Sequence, residues 1–208
     1  MSSSVFLLAA GWGLFGALHS LLVEQRVRAR AALPAAAARI YRLAYNLLTA
    51  ASIVALVAFA VSLHTPLLYE VDGAAAVPLY ALRAAGAGVG LVSAWHLGLL
   101  EFLGIAQLLG RAPAPGDTLR TDGIYGVCRH PMGLGSLLMV WGASAMSVAY
   151  LVSAISVTAY LVVGTWLEER DLVARFPQAY QEYRGRVPCF LPLGRVLRRG
   201  ERQVSPER

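Results

Sequence analysis

The chain contains no lysine, only two cysteines, and few charged side chains of either sign. Charged residues make up 14% of its 208 positions, against about 25% in an ordinary soluble domain, and hydrophobic residues reach 57%. A chain of this length cannot hide so much apolar surface in one aqueous core, so the surplus faces lipid. That excludes a soluble enzyme and a disordered tail. Cys128 and Cys189 are too few for a secreted disulfide scaffold. No basic stripe is interleaved with aromatics, so the net charge of +6 speaks for anionic lipid at helix ends rather than for nucleic acid. Metal-ligand spacing is missing as well: the histidines stand alone, and Cys128 and His130 have no second cysteine nearby. Neither a Gly-x-Ser-x-Gly nor a Ser-His-Asp pattern occurs.

What is present is a series of long apolar runs. A bilayer span needs about 20 mostly apolar residues. Such runs lie at roughly Val5–Val23, Ile40–Leu63 and Leu79–Leu103, and the stretch Gly133–Leu167 is long enough for two shorter tilted spans if it turns near Ser147–Tyr150. The pattern predicts an all-α polytopic membrane protein with five spans, the last two forming a hairpin, followed by a helical C-terminal segment. Arg26, Arg28 and Arg30 follow the first run instead of preceding it, which suits an uncleaved first helix rather than a signal peptide. Every arginine except Arg83 falls in the segments after spans 1, 3 and 5. That asymmetry predicts an outside N-terminus and a cytoplasmic C-terminus, in a bacterial inner membrane.

Polar groups collect at the cytoplasmic ends. His19 lies near the end of span 1. Arg42, Tyr45, Asn46 and Thr49 share one face at the start of span 2. His96 and Glu101 fall in the cytoplasmic half of span 3, His130 precedes span 4, and Glu168 and Glu169 close span 5. Intramembrane polar residues are candidates for function, and these predict one site at the cytoplasmic boundary. Helix ends are polar in any case, and each of these side chains read alone is equally suited to hydrogen bonding between helices. Gly86, Gly88 and Gly90 sit inside an apolar helix, where they suit close helix packing rather than a dinucleotide loop.

The C-terminal half carries three polar stretches: Leu119–Tyr125 leading into Arg129–Gly135, then Trp166–Leu172, then Phe176, Tyr180 and Tyr183 ahead of Val187–Pro192. Pro131 suits the first turn of a helix. The free N–H groups that follow favour an anionic group, and Gly133 and Gly135 let a ligand approach the backbone. Arg129 suits a carboxylate, and Glu168 and Glu169 suit an ammonium or sulfonium. A ligand with all three features is S-adenosylmethionine. The bare residues fit a salt-bridged hairpin base equally well. A rival of another class is a non-catalytic membrane protein binding lipid, or heme through His19 or His96.

The order Arg-His-Pro-x-x-x-Gly, helical hairpin, Glu-Glu-x-x-Leu and Tyr-x-x-Tyr-x-x-x-Val-Pro resembles the isoprenylcysteine carboxyl methyltransferase and phospholipid methyltransferase superfamily of integral membrane enzymes. The resemblance covers about Leu119 to Pro192. It implies an S-adenosylmethionine site at the cytoplasmic face, with Arg129, His130 and Pro131 in the cofactor loop and Glu168 and Glu169 as its acidic pair. Tyr125, Gly133, Gly135 and Tyr180 complete that expected site. Two positions depart from the pattern: Gly133 stands where many members have Tyr, and Pro177 where a Gly is usual. Sterol reductases of the same broad class share the Arg-His-Pro and Tyr…Val-Pro elements but use NADPH, and the glutamate pair favours the methyltransferases.

Gly16–Ser20, Tyr41–Asn46, Glu101–Gln107 and Trp141–Ser147 are similar, more loosely, to the bacterial methanethiol S-methyltransferases. That branch implies a small thiol as methyl acceptor, whereas the broader superfamily implies an isoprenylcysteine carboxylate or a lipid headgroup. The expected division is a three-span part over 1–118 that shapes the acceptor side through His19, Tyr45, Asn46 and His96, a cofactor-binding part over 119–192, and a disordered basic tail over 193–208. His130 and His19 are the expected catalytic groups, either one able to receive a thiol proton.

Overall fold

The computed structural model describes residues 2–29, 34–111 and 119–190; the tail 193–208 lies outside the described residues. The chain is mostly helical. Stretches Ser3–Val23, Arg39–Ser62, Gly73–His96 and Val148–Arg175 are each long and apolar enough to cross a bilayer, and the chain is an integral membrane protein. Helices α1 (Ser2–Ala29) and α2 (Ala35–Ser62) are followed by a short strand β1 (Leu67–Glu70) and by α3 (Val77–His96). Two short helices, α4 (Leu99–Leu103) and α5 (Ile105–Leu108), follow α3. Then come α6 (Pro131–Trp141), strand β2 (Ala145–Ser147), the long α7 (Val148–Arg175) and α8 (Pro177–Arg186).

The third apolar run ends earlier than the sequence predicts. Helix α3 stops at His96, because Gly98 and Gly104 take φ of 82° and 88° and break the run into α4 and α5. Gly104 also brings α4–α5 against α2: a Cβ there would stand 2.6 Å from the Leu43 nitrogen.

The hairpin differs too. Helix α6 has 11 residues, about 16 Å of rise, which is half a bilayer. After Trp141 the chain turns at Gly142 and then enters β2, which pairs antiparallel with β1, Tyr69 opposite Met146 and Glu70 opposite Ala145. The Val148 N–H donates to Pro66 O, and Ala149 N–H to Thr65 Oγ1. Thus the α2–α3 and α6–β2–α7 connections occupy one end of the bundle. Ser147 caps α7 by accepting from the Tyr150 N–H at 3.2 Å.

The last turn of any helix leaves carbonyls without partners along the helix, and other groups serve them here. Arg83 of α3 donates through Nε to Met139 O at 3.2 Å, Tyr150 to Val140 O at 2.8 Å, and Tyr69 to Ala143 O at 3.0 Å. Arg83 is therefore a cap for the strand-side end of α6, where its charge also complements the negative end of the helix dipole.

Helix α6 can lie deep against α3 because the crossing is glycine on glycine. A Cβ on Gly86 would stand 2.6 Å from Gly135 O, and one on Gly135 would stand 2.6 Å from Gly86 O and 3.0 Å from Gly90 N. On the other side α1 packs on α7 through Leu8, Trp12 and Ala149, and the Trp12 indole donates to Ser153 Oγ at 3.0 Å.

Candidate functional site

At the end of the bundle opposite the strands, the loop before α6 and the segment after α8 run side by side. The Arg129 N–H donates to Pro188 O and the His130 N–H to Cys189 O. The Arg129 guanidinium strengthens the junction: Nε and Nη2 donate to Glu169 Oε1 at 2.9 and 2.6 Å, and Nη1 donates to Val187 O at 2.6 Å and Arg184 O at 3.2 Å. Loop, α7 and C-terminal segment are thus pinned by one side chain.

His130 is buried between the two glutamates. Its Nε2 lies 3.3 Å from Glu169 Oε1 and its Nδ1 lies 3.4 Å from Glu168 Oε2. The two carboxylates differ in access: the Glu169 side chain is 15% exposed and the Glu168 side chain 63%. Glu169 is committed to Arg129 and His130, which leaves Glu168 as the open negative charge.

Tyr180 and Tyr183 of α8 are buried against Leu119, Leu172, Val173 and Phe176. The Tyr183 hydroxyl donates to Tyr125 O at 2.6 Å, which ties α8 to the loop. Burial, with the nearby Glu168 charge second, pushes the Tyr125 phenol up to about 12. The Tyr180 hydroxyl is buried without a hydrogen-bond partner of ordinary geometry, and burial with the Glu169 charge beside it pushes its pKa up. Tyr183 and Val187 also line an open cleft of about 220 Å³ together with Thr121, Gly126 and Arg186. Burial pushes both the Cys128 and the Cys189 thiols up, so both stay neutral near pH 7.

The expected cofactor residues are therefore split. Arg129, His130, Glu168, Glu169 and Tyr180 come together, with Tyr125 joined through Tyr183. Pro131 opens α6, whose first helical bond runs from the Leu134 N–H to His130 O, so the N–H groups of Met132 and Gly133 precede that ladder. Gly133 lies against the Phe190 ring, whereas Gly135 faces α3 and serves the helix crossing. No metal spacing is visible in the sequence, yet His130, Glu169 and Cys189 bring one potential ligand atom each within 4.8 Å, with Arg129 on the same carboxylate.

The expected acceptor residues are split as well. The Tyr45 hydroxyl lies 2.6 Å from His19 Nε2, and Thr49 Oγ1 lies 3.3 Å from Nδ1. Phe15 and Tyr160 flank the same imidazole, each at a ring separation of 5.5 Å. Asn46 faces the other way and donates to Phe102 O at 2.8 Å. His96 is not in this group: its Nδ1 donates to Val92 O, and its ring abuts Gly123, whose φ of 55° and missing Cβ admit it. Sequence reasoning missed Tyr160, because a tyrosine within an apolar run carries no signal until the helix beside it is known.

One region of the chain has a family match: residues 81–179 match the phospholipid methyltransferase family. That is the region from α3 to the start of α8, and it contains Arg129, His130 and both glutamates. The chain is 43% identical over 91 residues to methanethiol S-methyltransferase 2 of Bradyrhizobium diazoefficiens, covering 44% of this chain and 35% of that protein. It is 38% identical over 110 residues to the methanethiol S-methyltransferase of Pseudomonas deceptionensis, covering 51% and 42%. To methanethiol S-methyltransferase 1 of Bradyrhizobium diazoefficiens it is 33% identical over 135 residues, covering 62% and 47%. The chain thus spans less than half the length of these relatives. No solved structure matches it.

Proposed function

We propose that the protein is an S-adenosylmethionine-dependent membrane methyltransferase whose acceptor is a small thiol. The observation that carries this reading is the buried His130 between Glu168 and Glu169, beside the Arg129 clip and inside the region matched to the methyltransferase family. The relatives named for methanethiol S-methylation support the acceptor class.

The residues present fit the methyl donor. The buried Tyr180 hydroxyl beside Glu169 and the open Glu168 carboxylate are a donor and an anion at one cluster. Glu168 would hold the ammonium or ribose hydroxyls, and the N–H groups of Met132 and Gly133 would hold the carboxylate, with the positive end of the 11-residue α6 behind them. Bound S-adenosylmethionine supplies a methyl group on a sulfonium centre. The protein aligns the acceptor sulfur with that methyl and keeps water from both, and positioning of this kind lowers a barrier by several kcal/mol. With the methyl donor bound, the part left to this chain's residues would be to orient the thiol and to take its proton on a histidine. His19 is the candidate on the acceptor side, because His130 already faces two carboxylates. His19, Tyr45 and Asn46 would line the acceptor side, with His96 nearer the loop.

We further assign five crossings, the fourth made by α6, the turn that follows it and β2 together, with the N-terminus outside and the C-terminus in the cytoplasm. The one-sided arginines support this orientation. C-terminal alkaline phosphatase and fluorescent-protein fusions test it: phosphatase activity at the C-terminus would overturn it. For the activity, purified protein is given labelled S-adenosylmethionine and a panel of small thiols, a prenylated cysteine and a phospholipid amine. Labelled volatile thioether from the thiols alone is the expected result, and label in the prenylcysteine or lipid alone would replace the acceptor assignment. A Soret band in the purified protein, without S-adenosylmethionine binding, would overturn the reading altogether.

A further inference from the structure

Two buried side-chain polar atoms among the described residues have no hydrogen-bond partner: the Tyr180 hydroxyl and Gln107 Oε1. Gln107 lies in α5, far in sequence from the proposed cofactor residues, and only 9% of it is exposed. Its Nε2 donates to Glu101 O at 3.1 Å. That bond fixes the amide, since a flip would set Oε1 against the Glu101 carbonyl and strand Nε2 instead. Native proteins rarely leave a buried acceptor unserved, so a donor is missing from this corner.

The corner is held rigidly. Arg42 Nε and Asn46 Nδ2 of α2 both donate to Phe102 O, at 3.3 and 2.8 Å, and Gly104 lets α2 touch the α4–α5 turn. Tyr45 and Thr49, on the neighbouring face of α2, meet His19. These contacts tie the segments around positions 19, 42–49 and 101–107 of α1, α2 and α4–α5 into one patch. Resting on the proposed thiol methylation, we propose that Gln107 Oε1 accepts the S–H of a small neutral thiol and so determines acceptor specificity. A neutral carbonyl oxygen accepts from the protonated thiol and so holds it before its proton leaves for the histidine. It distinguishes substrate from product as well, because a thioether has no S–H to give.

The test compares 1-propanethiol with methyl propyl sulfide, which differs by the missing S–H, in calorimetric titrations of the purified full-length protein. Wild type is expected to bind the thiol roughly fivefold more tightly than the sulfide, the worth of one modest hydrogen bond. Gln107→Leu and Gln107→Met are expected to bind both equally, with an unchanged or raised Tm, since an unserved acceptor has gone. Thiol preference retained in these variants would overturn the proposal, and a lowered Tm with it would assign Oε1 to a buried water of the fold. If neither variant folds, equal binding of thiol and sulfide by wild type overturns it. S-adenosylmethionine affinity is measured on the same samples: its absence in wild type sinks the methyltransferase reading, while the thiol comparison stands on its own.

Discussion

Arg129 and Glu169 meet through two hydrogen bonds to a single oxygen, at 2.6 and 2.9 Å, and the same guanidinium reaches the Val187 carbonyl. The pair holds the loop before α6, the end of α7 and the segment after α8 at one place. A guanidinium with these engagements is a clip first and a ligand second. The two glutamates should consequently separate in mutagenesis. Glu169→Gln leaves a buried arginine short of its anion and is expected to cost about 3 kcal/mol of stability, read as a lower Tm in detergent. Glu168→Gln should leave Tm unchanged and weaken S-adenosylmethionine binding roughly tenfold, the loss of one charge-assisted contact. Equal Tm loss in both variants would show that Glu168 is structural too.

The thiols make a prediction with pH. Burial raises Cys128 in the folded protein above its ordinary value of about 8.5. Between the unfolded and folded values the unfolded chain has lost the proton that the folded chain keeps, so stability falls as pH rises through that window. Tm is expected to be flat from pH 6 to about 8 and to decline above about 8.5, with a shallower decline in Cys128→Ala. Rapid alkylation of Cys128 at pH 7 in the folded protein would contradict this.

Gly135 should tolerate no side chain. Its α-hydrogen side faces the backbone of Gly86 and Gly90, so Gly135→Ala must push α6 from α3. The expected cost is about 1–3 kcal/mol. Gly88, whose Cβ position is open, is the control: Gly88→Ala should leave the stability within about 0.5 kcal/mol of wild type.

Arg83 is expected to matter although it lies at the end of the bundle opposite His130. Arg83→Met removes donors from Met139 O and from the Tyr150 hydroxyl, at the C-terminus of α6. Stability should fall by about 1–2 kcal/mol, and Tyr150→Phe should add little to Arg83→Met because both serve the same helix end. Full additivity in the double variant would mean that they act separately.

The sequence by itself determined the membrane class, the apolar helices and the polar end of the bundle. These follow from composition, run length and the one-sided arginines, which depend on chain-local chemistry alone. The Arg-His-Pro and Glu-Glu motifs stood out through their resemblance to a known family, since the bare residues fit a salt-bridged hairpin base equally well. Tertiary structure alone decided which carboxylate is spent and which is open: Glu168 and Glu169 are adjacent and identical in kind, and only the packing of α7 against the loop and α8 buries one of them. It also moved His96 from the His19 group to Gly123, because glycines at 98 and 104 end α3 where hydropathy alone continues it. The half-length α6 was hidden for a related reason. Residues 133–167 are apolar throughout, and hydropathy has no term for the Gly86–Gly135 crossing, the Arg83 cap or the pairing of β2 with a strand some 75 positions earlier. Those contacts supply the partners that a broken backbone needs inside a membrane, and they exist only once the chain has folded.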